Sequence, residues 1–348
     1  MEKLSRFWRT LEETPGQALA LVEWKARLGP ELDLVRSWLR PTQRLAASYR
    51  CPDPDRYCIH KVVQHGPNDY VGVCPDGCPT VSMPKTEIIV YELDRVALGR
   101  MVAEVLGLQC AVAPVPGVRC TLRLGTYVPY AGLRFPAYLA FPSETEEFGQ
   151  IVDALLAGAD GPFILLAPTR SVCSATRENQ LKIKTACFLP LDELLSPDDG
   201  SRVTLADGQT ADQVLAAFRE AVLPKAADES GMLFFPTPAE AHWKDVRIRF
   251  RDSHTISVRV KDTTGVYHYT QMGMADGRNS NPTKQWDLLE LFARNHGVLD
   301  WDNSDASRER QKQRENLAKN LAAFFRLDGD PFMSEGNGWK TLFSVEMQ

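Results

Sequence analysis

Two sets of residues in this chain have types and spacings that can do chemistry. The first is four cysteines, Cys51, Cys58, Cys74 and Cys78. Six residues separate the first pair and three the second, with IHKVVQHGPNDYVGV running between the pairs. That stretch reads as a strand, a turn at Gly66, Pro67, Asn68 and Asp69, and a return strand, so a hairpin would carry one pair back to the other. Four gathered thiolates suit tetrahedral Zn2+ in a closed structural site. CPDGC supplies a tight knuckle through Pro75, Asp76 and Gly77. The first spacing is wider than the usual two to four residues, and His60 is an alternative ligand to Cys58. Four unrelated thiols packed as small apolar groups would be the plain reading. Cysteines beside prolines and glycines in polar loops favour the metal. No further donor is evident for an open coordination position, so the expected role is structural.

The second set lies in NSDASRERQKQRENLAKNLAAFFRLDG, residues 303–329. Asn303, Ser304 and Asp305 are helix-capping types, and Gly329 and Pro331 are stop signals. Between them Arg310, Arg314, Leu317, Leu321 and Phe324 with Phe325 recur at three- and four-residue spacing, which predicts a helix with a buried apolar end. The other face carries Lys312, Gln313, Asn316, Lys319 and Asn320. Cations hold phosphates, and amides read base edges in a major groove. A solvated polar face has much the same composition.

The centre of the chain offers less. PTRSVCSATREN, residues 168–179, follows an expected buried strand, where α/β sheets place their ligands. Arg170 and Arg177, with Ser171, Ser174 and Thr176, could hold an anion there. No glycine-rich phosphate cradle accompanies them. Cys173 lies between the two arginines, a setting that can lower a thiol pKa. Glu178 with Lys182 and Lys184, and Asp160 upstream, resemble a nuclease fragment. Metal-dependent nucleases need two or more convergent carboxylates, so no catalytic residue is assigned.

These residues need elements to position them. The chain has 348 residues, 44% hydrophobic and 24% charged, with eight cysteines and a net charge of −5. Two or three domains with real cores fit that length. The negative net charge excludes a global basic field, so any nucleic-acid contact must be local. No apolar run reaches membrane-spanning length and no signal peptide is evident, which leads us to expect a cytoplasmic protein without membrane contact.

In order, residues 1–45 read as short amphipathic helices rich in tryptophan, able to pack on a neighbour or a protein partner. Residues 46–92 read as a zinc-ribbon-like module built on the four cysteines. Residues 93–225 alternate strand and helix, with strands at 120–124, 136–141, 163–167 and 183–189 and helices at 94–106, 143–156 and 211–222. That order implies a central α/β domain with a parallel crossover. Residues 226–245 read as a linker docking through Phe234, Phe235 and Trp243. In residues 246–348, strands at 246–250, 255–261 and 266–271 precede a helix at 283–295, the basic helix, and a strand at 339–345. The fold class is α+β with an α/β centre, in several domains.

Sheet, helix, helix and a glycine-led ribbon give residues 246–348 a pattern that resembles the winged-helix output domain of OmpR-like response regulators. The matching pieces are WDLLELFARNHG at 286–297, the basic helix ending in AAFF at 322–325, and NGWKTLFSV as the wing. The resemblance implies DNA binding, with 308–320 as recognition helix, beginning at Arg308, and Lys340 as a wing contact. The middle helix of the usual three is shortened to about 303–307, and nothing upstream resembles a receiver domain. The resulting expectation is a DNA-binding regulator or defence-system component with no catalytic residue assigned, able to form a homodimer. Its alternatives are an adaptor binding protein partners through the winged helix and N-terminal helices, and a nuclease-like enzyme in the central domain.

Overall fold

The structure, a computed structural model, describes residues 4–51, 56, 58–198, 202–223, 232–277, 279–300 and 308–348. The capping residues expected at 303–305 and the short helix at 303–307 lie outside the described residues. The chain forms two units, residues 1–127 with 135–222, and residues 128–134 with 223–348. No helix among the described residues is long and apolar enough to cross a membrane.

The first unit begins with helices Ser5–Glu13, Leu21–Leu28 and Glu31–Val35. Ser5–Glu13 starts at Leu4, which has no capping side chain. Glu31 supplies the acceptors instead, taking hydrogen bonds from the Arg6 and Phe7 amides at 3.2 and 2.8 Å. A carboxylate there satisfies two orphan donors and complements the helix dipole. Trp8, Trp24 and Trp38 are all buried in this unit, and the Trp24 indole donates to the Tyr91 carbonyl at 3.0 Å. The tryptophans are therefore core residues, not an exposed partner surface.

Strand Ile89–Leu93 lies between Ala18–Ala20 and Leu39–Leu45 in an antiparallel sheet. Residues 46–88, with the cysteines, leave this sheet at Leu45 and return to it at Ile89. They build their own antiparallel sheet of Ser48–Arg50, Ile59–Gln64, Asp69–Val73 and Val81–Pro84. Its buried apolar core is small: Tyr49, Tyr70, Met83 and Ile88.

The central sheet has the order Cys187–Pro190, Ile164–Ala167, Phe135–Ala140, Thr121–Tyr127, Gln109–Pro114. Its first three strands are parallel and joined by helices Thr145–Gly158 and Ala175–Ile183, two successive βαβ crossovers. The remaining pairs are antiparallel, so the sheet is mixed. Two expectations change. The stretch read as a loop to 179 becomes helical from Ala175, because the Ser174 hydroxyl caps it by accepting from the Arg177 amide. The following strand starts at Cys187 rather than 183. Gln109–Pro114, a strand with no apolar alternation, is an edge strand largely open to solvent, which removes the usual signal.

The second unit carries a four-stranded sheet, Thr263–His268, Thr255–Val260, Val246–Phe250 and Ser344–Met347. Alternation turns Val246, Ile248, Phe250, Ile256, Val258 and Val260 inward. They share one core with Trp286, Leu289 and Phe292 of helix Lys284–Arg294 and with Leu317, Leu321, Phe324 and Phe325 of helix Arg308–Phe325. Phe235 and Trp243 join it, as does Ala131, whose amide donates to the Thr237 carbonyl at 2.9 Å. A second sheet pairs Val298–Leu299 and Phe332–Glu335 with Gly338–Thr341. The single strand expected at 339–345 is thus two strands in different sheets. The Thr341 hydroxyl donates to the Phe343 carbonyl at 2.7 Å in the bend between them, and Phe343 turns into the core.

Candidate metal centre and nucleic-acid interface

Local chain geometry gathers the cysteines. The Cys51 amide donates to the Cys58 carbonyl at 2.9 Å, closing the wide first spacing into a loop. In the hairpin Lys61 pairs with Val73, so Cys74 emerges beside the start of the Cys58-bearing strand. Gly77, at φ +78°, turns the knuckle, and the Asp76 amide donates to the Cys74 sulfur at 3.3 Å. Cys51, Cys58, His60 and Cys78 then present donor atoms within 4.8 Å of one another, and Cys58, Cys74 and Asp76 form a second such group. The Cys58 and Cys78 sulfurs are 3.3 Å apart. Bonds of about 2.3 Å at tetrahedral angles would set thiolates ~3.8 Å apart, so the cluster has the dimensions of a metal site. The Cys78 thiol, then burial, then Cys74 and Cys51 hold the Cys58 thiol above its ordinary pKa.

His60 belongs to the same group of donors as Cys58. Its ring is 1% exposed and stacks on Tyr49 at 5.0 Å, with Nδ1 3.3 Å from the Tyr49 hydroxyl. Nε2 is buried without a hydrogen-bond partner. A buried ring nitrogen left unpaired is unfavourable unless something binds it. Gly72 makes the arrangement possible, because a Cβ there would overlap the Tyr49 hydroxyl.

On helix Arg308–Phe325 the inward stripe is as expected, with Leu317, Leu321, Phe324 and Phe325 fully buried. Lys312 and Lys319 are exposed, with the half-buried Gln313 and Asn316 beside them. Neither lysine has an ion pair among the described residues. Asn320 differs: its amide donates to the Gly273 carbonyl at 3.3 Å, which ties it into the fold. Arg314 lies over the Phe332 ring and pairs with Asp330. Lys340, on the hairpin of Phe332–Glu335 and Gly338–Thr341, pairs with Glu335 at 3.2 Å. The Arg308 side chain lies outside the described residues.

In the central sheet the expected anion loop is internally neutralised. Arg170 donates to Glu193 at 2.7 and 2.9 Å and to Glu178 at 3.3 Å. Arg177 donates to Asp153 at 2.5 and 2.9 Å. Cys173 is not activated: burial, then Glu178, push its thiol up to about 11. Glu178 is held by Lys182 at 3.1 Å and by Arg170. Among the described residues the only groups of three or more metal donors are the two around Cys58. Glu12 fills the mouth of the sheet beyond Ile164–Ala167, accepting from the Thr169 amide and hydroxyl at 2.8 and 2.9 Å and from the Ser171 hydroxyl at 3.0 Å. No motif marked that carboxylate in the sequence.

No family model, curated protein or solved structure matches the chain.

Proposed function

We propose that this chain is a DNA-binding protein, of regulatory or defence type, whose first unit is stabilised by one structural zinc. The observation that carries the reading is the division of helix Arg308–Phe325 into a fully buried apolar stripe and an outward face with two lysines that no carboxylate engages among the described residues. Such a face is available to phosphates, and Gln313 and Asn316 stand beside it with the paired donor and acceptor that reads adenine. The hairpin with Lys340 follows the helix, as a wing would. Asn320, engaged with Gly273, drops out of the contact set. The zinc would take Cys51, Cys58 and Cys78, with Cys74 or His60 in the fourth position. That choice supports a closed site, because protein donors outnumber the four a structural zinc needs.

The test is binding of the full chain to labelled duplex DNA across salt. A protein held by several phosphates should weaken steeply between about 50 and 200 mM. No retention at the lower salt would remove DNA binding and leave an adaptor for protein partners as the reading to pursue.

A further inference from the structure

The outward face of the four-stranded sheet in the second unit carries charge that the helix reading leaves unused. Alternation that buries Val246, Ile248 and Phe250 turns Arg247 and Arg249 to solvent, and Arg251 continues the row. Arg259 on the neighbouring strand stands directly opposite Arg247, and Ser257 opposite Arg249. These groups, with Thr264, Val266 and Glu346, line a concavity of about 450 Å³. Like charges on directly opposed cross-strand positions destabilise a sheet. Here the compensation is sparse. Glu346 accepts from Arg249 at 2.9 and 2.6 Å, and Arg259 Nε donates to the Lys261 carbonyl at 2.9 Å. Arg247 and Arg251 have no ion pair among the described residues.

We propose that this face holds the phosphodiester backbone of a nucleic-acid strand through Arg247, Arg251 and Arg259, with Arg249 held back by Glu346. The proposal rests on reading the second unit as a nucleic-acid-binding module, and it assigns that module a second surface. Two residues along a strand advance about 6.7 Å, so the row from Arg247 to Arg251 extends about 13 Å. One phosphate reaches only neighbouring guanidiniums; a chain of phosphates reaches the row. Guanidinium forks match phosphate oxygens, and the Thr264 hydroxyl adds a neutral donor, whereas the Ser257 hydroxyl already donates to the Arg249 carbonyl at 3.3 Å. No aromatic ring lines the concavity, so bases are not stacked and contact is independent of sequence. Both helices pack on the other side of this sheet, which keeps the arginine face separate from Lys312 and Lys319.

The experiment compares the full chain with Arg247→Gln/Arg259→Gln, Glu346→Gln and Lys312→Ala/Lys319→Ala. The probes are labelled mixed-sequence single-stranded and duplex DNA at several salt concentrations. Arg247→Gln/Arg259→Gln should weaken every probe by a similar factor and flatten the duplex salt slope by about 1.8 units, two lost contacts. Its thermal midpoint without DNA should hold or rise, since the opposed charges are gone. Glu346→Gln releases Arg249 and should steepen the slope by about 0.9 unit, a gain that misfolding cannot imitate. A slope parallel to wild type in either sheet variant overturns the proposal. If only the lysine variant then loses binding, the helix reading stands alone. If only the sheet variants respond, the helix reading fails and this one holds. A wild-type chain that retains neither probe at about 50 mM salt overturns both.

Discussion

Lys312→Ala tests one proposed phosphate contact. Lys312 has no carboxylate partner among the described residues, so its removal deletes a cation without breaking an ion pair. Each phosphate neutralised on duplex DNA contributes about 0.9 to the slope of log affinity against log salt. Raising salt fourfold therefore weakens each contact by roughly 3.5-fold. The variant should bind less tightly than wild type at about 50 mM salt, and that deficit should shrink about 3.5-fold by 200 mM, alike on every duplex. Asn316→Ala should behave differently. It should cost about 1–3 kcal/mol on a preferred sequence, roughly 5- to 150-fold, and little elsewhere. Fluorescence titrations of both variants on several duplexes at three salt concentrations separate the two effects. Lys340→Ala, on the proposed wing, should flatten the slope by a similar amount, since losing its half-exposed pair with Glu335 costs little stability. Parallel salt slopes for wild type and Lys312→Ala would refute the contact, because a contacted phosphate must release its counterion.

Purified protein should carry about one zinc per chain by metal analysis. Cys58→Ser should lose it and loosen residues 46–88, because Cys58 belongs to both donor groups; full retention would remove the metal reading. Comparing Cys74→Ser with His60→Ala assigns the fourth ligand: the true ligand's variant loses zinc under mild chelation, the other keeps it. Burial, ahead of the bonds from Thr169 and Ser171, raises the Glu12 carboxyl above its ordinary 4.5. The folded state then binds this proton more tightly than the unfolded chain, so Glu12 adds stability as pH falls through the raised value, completely below 4.5. In urea titrations wild type should gain on Glu12→Gln between about pH 7 and 4, and a constant offset across that range would contradict the burial.

Strong periodicity made the second unit legible. Ile256, Val258 and Val260 alternate, and Trp286, Leu289 and Phe292 recur on one helical face, so both elements were readable and both are buried as expected. The less readable parts depend on distant partners. Glu31 lies outside the helix it caps, and the strand Leu39–Leu45 pairs across about fifty residues with Ile89–Leu93. Residues 128–134 join the second unit through Thr237 and Pro238, with no local signal to mark it. Among charged residues the failure has one cause. Arg170 and Arg177 looked available in sequence because their carboxylates, Glu193 and Asp153, come from other elements.

Dependence on distant partners also separates the cysteine cluster, readable despite its wide first spacing, from the arginine face, which was not. Spacing rules for zinc describe a knuckle closed by its own backbone, and the loop from Cys51 to Cys58 meets that condition through the Cys51 amide and Cys58 carbonyl. Loop length matters less than closure, since closure entropy rises only slowly with length. His60 joins by strand alternation: two residues beyond Cys58 its ring faces the same side, where Gly72 leaves room for Tyr49 to cover it. The arginines obey the same period of two, but alternating arginine and apolar residues also describe any solvated strand. Only the register that sets Arg247 against Arg259 distinguishes them, and register is a property of two strands together. The apolar residues behind that face, Val246, Ile248, Phe250 and Val258, are fully buried. Under the proposed reading a bound polyanion would relieve the repulsion between Arg247 and Arg259, which is why Arg247→Gln/Arg259→Gln should lose binding without losing stability.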